Sequence, residues 1–289
     1  MTVVYVLLIL FICFMAYSVT ESLRFKVTDY CVKSKKLPDA LSGKRIALLA
    51  DLHCTHFGRD NERLFTKLKD LSPDIIVIAG DLTDGHDETE FGYARSFLSS
   101  LTALDIPVYY AYGNHETKFS LRENDLYNRY ERLVRESGCI LLKNESALLC
   151  SGARIYGPEL KLGHYNAKYE PDRGVPDVAE YLGPADPSEF NILIAHTPEY
   201  EKAYYDWGAD LVLSGHVHGG LFRLPLLGGV ISPRFQLFPH YDRGRFSDGE
   251  HTMILSAGLG WHGFPFRFNN LPEIVNITLE KDNEFTGKA

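Results

Sequence analysis

The chain of 289 residues predicts an α/β fold, and three observations carry that expectation. Four short apolar runs, at residues 45–50, 74–79, 107–112 and 210–214, have the length and unbroken hydrophobicity of strands buried on both faces. Between the first three stand two segments, 61–71 and 88–104, whose apolar residues recur at helical spacing. Later runs at 139–142, 147–150, 154–156, 191–195, 252–256 and 274–279 supply a second set of strands. A hydrophobic content of 45% with 24% charged residues is that of a globular domain, and the length suits one large α/β unit.

Taken in order, the first element is the uncharged stretch from Thr2 to Val19. Roughly 18 such residues reach the length at which a helix spans a bilayer. A secretory signal peptide is the rival, with Ala16-Tyr17-Ser18 resembling a cleavage site, but no Lys or Arg precedes the apolar run. The expectation is an uncleaved anchor over residues 1–20, then a linker and edge strand over 21–43, then the main domain over 44–289. Arg24, Lys26, Lys33, Lys35 and Lys36 follow the span, which places that domain on the cytoplasmic face, with an extracytoplasmic position as the alternative. Alternation of Leu23, Phe25 and Val27 joins the linker to a sheet edge. Ser120-Leu121-Arg122-Glu123 reads as a capping box opening a helix that ends at Gly138. Two long irregular stretches, 157–187 and 219–245, form the expected rim of a site. The second contains Leu221-Phe222-Arg223-Leu224-Pro225-Leu226-Leu227, either a hairpin packed on the domain or an apolar wall facing a membrane or lipid tail.

Chemistry enters just past the carboxyl ends of the strands, where open α/β sheets place their sites. There stand Asp51-Leu52-His53, Gly80-Asp81, Gly113-Asn114-His115-Glu116, the lone His196, and Gly215-His216-Val217-His218-Gly219-Gly220. In an extended backbone Asp51 and His53 project to one side, as do His216 and His218, while Leu52 and Val217 point inward. Glycines 80, 113 and 215 let the chain turn tightly. Each motif alone has an ordinary explanation as a turn, a helix entry or a satisfied core histidine. Their joint order, each at a strand end, does not.

These five motifs resemble the calcineurin-like metallophosphoesterase superfamily, from about Lys44 to Leu279. The segments 215–227 and 256–274 also resemble its small membrane-linked or exported bacterial phosphohydrolases. The resemblance implies a four-layer αββα sandwich of two mixed β-sheets flanked by helices. It further implies two divalent metal ions, Mn, Zn or Fe, one held by Asp51, His53, Asp81 and His218, the other by Asp81, Asn114, His196 and His216. Imidazole and carboxylate suit such ions. A pair about 3.5 Å apart lowers the pKa of a bridging water for in-line attack on phosphorus. His115, which the family does not use as a ligand, would protonate the leaving oxygen or steady the transition state. His56, His86, His164, His240, His251 and His262 are assigned to no metal.

The implied activity is hydrolysis of a phosphodiester or pyrophosphate bond in a phosphorylated small molecule, a nucleotide or a lipid-linked substrate. A phosphomonoesterase or protein phosphatase is the alternative, and a non-catalytic scaffold a third. The residues flanking the motifs, Leu52, Cys54, Leu82, Glu116, Thr197, Val217 and Gly219, include no base, which favours a diester monoanion. A net charge of -8 argues against long nucleic acid as partner. The odd count of five cysteines without metal spacing indicates reduced thiols, and Cys54 should point away from the metals.

Overall fold

The computed structural model describes residues 1–122, 125–166, 168–170, 172–220, 222–224, 227–231, 237–261 and 266–283. Its helices are α1 (Thr2–Ser22), α2 (Glu62–Leu71), α3 (Phe91–Thr102), α4 (Asn114–Lys118), α5 (Leu126–Glu136), α6 (Leu162–Tyr165), α7 (Val178–Leu182) and α8 (Glu201–Trp207). The strands of the first half are β1 (Lys26–Ser34), β2 (Arg45–Leu49), β3 (Ile75–Ala79), β4 (Val108–Ala111) and β5 (Ile140–Leu142). Then come β6 (Glu145–Cys150), β7 (Ala153–Gly157), β8 (Phe190–Ile194), β9 (Leu211–Ser214), β10 (Phe222–Leu224) and β11 (Gly228–Ile231). The last are β12 (Gly244–Ser247), β13 (Thr252–Leu255) and β14 (Glu273–Lys281).

Two six-stranded sheets result, in the orders β1-β14-β2-β3-β4-β5 and β12-β13-β9-β8-β7-β6, with β10 and β11 forming a separate hairpin. Both are mixed. β2, β3, β4 and β5 run parallel and β14 lies antiparallel to β2, while β7, β8, β9 and β13 run parallel between the antiparallel edges β6 and β12.

Period-two alternation sorts each buried strand between two layers. Ile46, Leu48 and Val77 of the first sheet meet Ile155, Ile192, Leu213 and Ile254 of the second in the central core. Their neighbours Ala47, Leu49, Ile76 and Ile78 face outward onto Leu64 and Leu68 of α2, Phe97, Leu98 and Leu101 of α3, and Leu133 and Val134 of α5. On the far side Leu193, Val212 and Met253 meet Val178, Tyr204 and Tyr205 of α7 and α8. This is the αββα sandwich expected.

One expectation fails locally. Ser120 does not cap a helix; its hydroxyl donates to the Thr117 carbonyl from within the 3-10 turn Phe119–Leu121, and α5 starts at Leu126. Glu123 lies outside the described residues. The terminator is as read, since Gly138 adopts a φ of 87° just past the helix.

Helix α1 leaves Val3 to Ile12 at least half exposed but sets its last turns on the domain. The Ser18 hydroxyl donates to the Arg267 carbonyl at 2.8 Å and accepts from the Arg267 amide at 2.9 Å. Phe14 packs against Phe222, Phe266 and Phe268, ring centres 5.2–5.9 Å apart. A chain beginning at Leu23 should be soluble and active, yet melt lower than the full chain, because two buried hydrogen bonds worth about 0.5–1.5 kcal/mol each are lost. Thermal denaturation of both forms in one detergent checks this; equal melting temperatures would show the docking to be energetically idle.

Candidate metal centre

The carboxyl ends of β2, β3 and β4 in one sheet and of β8 and β9 in the other open at the same edge of the sandwich, and every sequence-predicted ligand sits there. Asp51 and His53 follow β2, Asp81 follows β3, Asn114 and His115 open α4 after β4, His196 follows β8, and His216 and His218 follow β9. Three groups have ligand atoms within 4.8 Å of one another: Asp51, His53 and His218; Asp81, His196 and His216; and His53, Asp84 and His115. Asp81 links them, its Oδ2 standing 2.9 Å from His196 Nε2, 3.8 Å from His53 Nε2 and 3.9 Å from His115 Nε2. Asp51 Oδ1 is 3.6 Å from His218 Nε2 and 3.7 Å from His196 Nε2.

Strand alternation does not produce this convergence, contrary to the sequence reading. Asp51, His53, Asp81, His216 and His218 all have left-handed backbones, with φ of 51°, 46°, 54°, 76° and 51°. The extended chain has ended before them, and a tight left-handed path turns each side chain back over the sheet edge. Leu52 and Val217 are nonetheless buried as expected. Nor do all three glycines act by turning. Gly80 has φ 81°, but at Gly113 and Gly215 it is space that matters: a Cβ there would lie 2.2 Å from Asp81 Oδ1 and 2.6 Å from Asp51 Oδ2.

Backbone and carboxylate acceptors fix the histidine tautomers. His196 Nδ1 lies 2.6 Å from the Ala79 carbonyl, which can only accept, so Nδ1 carries a proton and Nε2 is the nitrogen turned toward Asp81. His53 Nδ1 donates in the same way to Asp84 Oδ1 at 2.8 Å, leaving its Nε2 facing His218 Nε2 at 3.2 Å. Buried Glu116 accepts from the amides of Gly113, Asp81 and Leu82 at 2.7–2.9 Å and from the Tyr110 hydroxyl at 2.8 Å, tying the ends of β3 and β4 together.

Without a cation the charges compensate one another. Burial pushes the Asp51 carboxyl up to about 6. Burial works the same way on Asp81, but His196, His115 and His53 outweigh it and hold its carboxyl well below the usual range. For His196 burial opposes the charged form, and Asp81 and Asp51 overcome it, raising the imidazole to about 9.

The residues fit a divalent cation. Asn114 Oδ1 is buried with no hydrogen-bond partner, a costly arrangement for a polar atom unless something else binds it. The facing ring nitrogens of His53 and His218 match the edge of a metal shell, roughly 3.4 Å for tetrahedral bonds of about 2.1 Å. Imidazole, carboxylate and amide oxygen are donors for Mn, Fe or Zn.

Three neighbours were missed in the sequence. Asp84, three residues past Asp81, orients His53 and, through its carbonyl, His115 at 2.5 Å. Lys118 stands one helical turn beyond His115 and its Nζ donates to His115 Nε2 at 2.9 Å. The residues flanking the motifs carry no base, but this lysine brings a cation beside them from one turn further along α4. Tyr165, from the first irregular stretch, is buried with its ring centre 5.4 Å from His216 and 5.9 Å from His196.

Other expectations fall as follows. His56, His86, His164, His240 and His251 join none of the donor groups among the described residues, and His262 lies outside them. The five cysteines are free thiols, and burial raises the thiol of Cys54 above its ordinary range. Of the apolar segment 221–227, Leu221, Pro225 and Leu226 lie outside the described residues; Phe222 to Leu224 form β10 of the hairpin.

The calcineurin-like phosphoesterase family model matches residues 44–220. A zebrafish transmembrane protein with a metallophosphoesterase domain is 31% identical over 275 residues, covering 89% of this chain and 57% of that protein. The uncharacterised metallophosphoesterase YkuE of Bacillus subtilis is 27% identical over 269 residues, covering 89% of this chain and 86% of that one. Among solved structures, a zebrafish dimetal phosphatase superposes with a TM-score of 0.45 at 14% identity, over 82% of this chain and 99% of that one. With that family model matched over residues 44–220, more than half of its length, the chain belongs to the calcineurin-like phosphoesterases and is a metal-dependent phosphoesterase.

Proposed function

We propose that Asp51, His53, Asp81 and His218 hold one divalent ion and Asp81, Asn114, His196 and His216 a second, both drawn from Mn, Zn and Fe, and that the enzyme cleaves a phosphodiester or pyrophosphate bond. The observation supporting this is the position of Asp81 Oδ2, 2.9 Å from His196 Nε2 of one ligand set and 3.8 Å from His53 Nε2 of the other. Bound ions supply Lewis acidity and an acidified water to such a site. The chain's own residues do the remainder. Asp81 Oδ1 accepts the His115 amide at 2.9 Å and so fixes α4 against the metal centre. His115, whose Nδ1 donates to the Asp84 carbonyl, turns Nε2 toward Asp81 and Lys118, where a departing oxygen would collect its proton. Burial favours the neutral imidazole, lowering His115 to about 3, so it acts as an acid together with Lys118, whose Nζ donates to its Nε2 at 2.9 Å.

Lys118 also favours a second reading, a phosphomonoesterase, because a cation beside the centre would hold a phosphate dianion. The ratio of catalytic efficiencies on bis(nitrophenyl) phosphate and nitrophenyl phosphate with Mn decides between them, a preference for the monoester overturning the diester reading. Lys118→Met should lower the efficiency on the monoester by about tenfold, or 1.4 kcal/mol, and that on the diester by less. Equal losses on both would remove Lys118 from charge recognition.

We further propose that α1 anchors the chain in a membrane with residues 44–289 as the catalytic unit on the cytoplasmic face, following the basic residues Arg24 to Lys36. Among the described residues α1 is the one helix long and apolar enough to cross a bilayer, and the zebrafish relative is named a transmembrane protein. The full chain should resist carbonate and high-salt extraction. Release by salt alone would remove the spanning helix from the reading.

A further inference from the structure

We propose that the β10–β11 hairpin and the segment carrying Leu237 and Phe238 are immersed in the surface layer of the bilayer, so that the catalytic domain sits partly within the membrane rather than hanging below it on a linker. The inference rests on the level at which the domain meets its anchor. Phe14 is the helix residue gripped by Phe222 of the hairpin and by Phe266 and Phe268. At 1.5 Å per residue, Phe14 lies about 6 Å short of Ser18 and about 10 Å short of Glu21, the first charged side chain after the apolar run. A spanning helix keeps apolar residues in hydrocarbon and brings the first charge to the headgroups. With the helix near the membrane normal, the hairpin is therefore level with the apolar part of the helix.

The exposed side chains agree with that depth. Leu224, Leu227, Leu237 and Phe238 are 42%, 62%, 65% and 58% exposed, an unusual concentration on one short stretch of a soluble surface. Phe238 is held outward at φ 49°, a conformation rare for a bulky residue, by its amide donating to the Val230 carbonyl at 2.9 Å. The hairpin's one charged residue among those described, Arg223, is turned back, its guanidinium donating to Asp242 at 2.8 Å and to the Gly219 carbonyl at 2.9 Å. Cations gather instead at the helix end: Arg24 is exposed and Arg63 donates to the Leu23 carbonyl at 3.2 Å, the height at which headgroup phosphates would lie. Lipid acyl chains are the occupant this pattern fits, because the patch is continuous with a helix already apolar on every face.

The test uses the full chain reconstituted in phosphatidylcholine vesicles whose acyl chains carry bromine, which quenches tryptophan on contact. Leu227→Trp and Phe238→Trp are compared with Leu148→Trp, an exposed position on the edge strand β6 of the second sheet, after subtracting the emission of the wild-type chain. Loss of most of the added emission at 227 and 238, with a blue shift, against none at 148 is the expected result. Two variants guard against one failing to fold, and neither touches the metal centre, so the outcome stands apart from the fate of the proposed ligands. Unquenched emission at both positions would overturn the proposal, and if accompanied by concentration-dependent dimerisation would assign the patch to a second copy of the chain.

Discussion

Asp81→Ala should strip more metal and more activity from the purified protein than any other single ligand change, and in particular more than Asn114→Ala. Both carboxylates lie near histidines of the two sets, but Asp81 is proposed as a ligand to both ions and approaches His196 to 2.9 Å where Asp51 stays 3.7 Å away, so its removal opens both proposed sites at once and takes away negative charge that the imidazoles do not replace. Asn114 offers one neutral oxygen to one site. Removing even an outer-shell partner commonly costs about 10- to 100-fold in metal affinity or activity, and the Asp81 loss should exceed that. Asp81→Asn separates charge from shape, since its amide still fits the space that Gly113 leaves. Elemental analysis decides the matter, and an undiminished metal content in Asp81→Ala would end the ligand assignment.

The second large effect concerns His115. Its ring stands edge-on to His53 with centres 4.8 Å apart, yet its Nε2 faces Lys118 and is 3.9 Å from Asp81. If it serves the leaving group, His115→Ala retains metal and loses about 10²-fold or more in rate, within the span of general acid catalysis. The loss should shrink when nitrophenolate departs, because that anion leaves without a proton. Loss of metal, or equal losses for good and poor leaving groups, would move His115 into the ligand shell.

Both experiments follow from motifs visible in the sequence, and the reason is local. A strand buried on both faces must be apolar without interruption, so where Asp51, Asp81, His196 and His216 break such runs the chain has left the sheet and polar chemistry begins. The layers were legible for the same reason, with Ile46 and Leu48 facing one way and Ala47 and Leu49 the other. What stayed hidden depends on contacts between distant segments. Nothing near Ser18 announces Arg267 as its partner, because the two are joined only when α1 folds back on the domain. Lys118 gave no signal, since the helix that carries it beside His115 is only five residues long and too short to show a period. Left-handed backbone at His53 and His218 was equally invisible, because histidine gives no such signal as glycine does.

That left-handed geometry sets the site against the rest of the protein. A residue with a Cβ gives up on the order of 1–2 kcal/mol in such a conformation, and five of the metal-centre residues accept it. Glycine would sit there comfortably and do nothing. Selection for thermal tolerance alone would therefore erode these positions, His216 first because its ring is only partly buried and leaves little void behind. A lineage of this fold that had lost its chemistry should drift toward glycine or asparagine at 51, 53, 81, 216 and 218, so residue choice at these five positions would record whether a descendant still works as an enzyme.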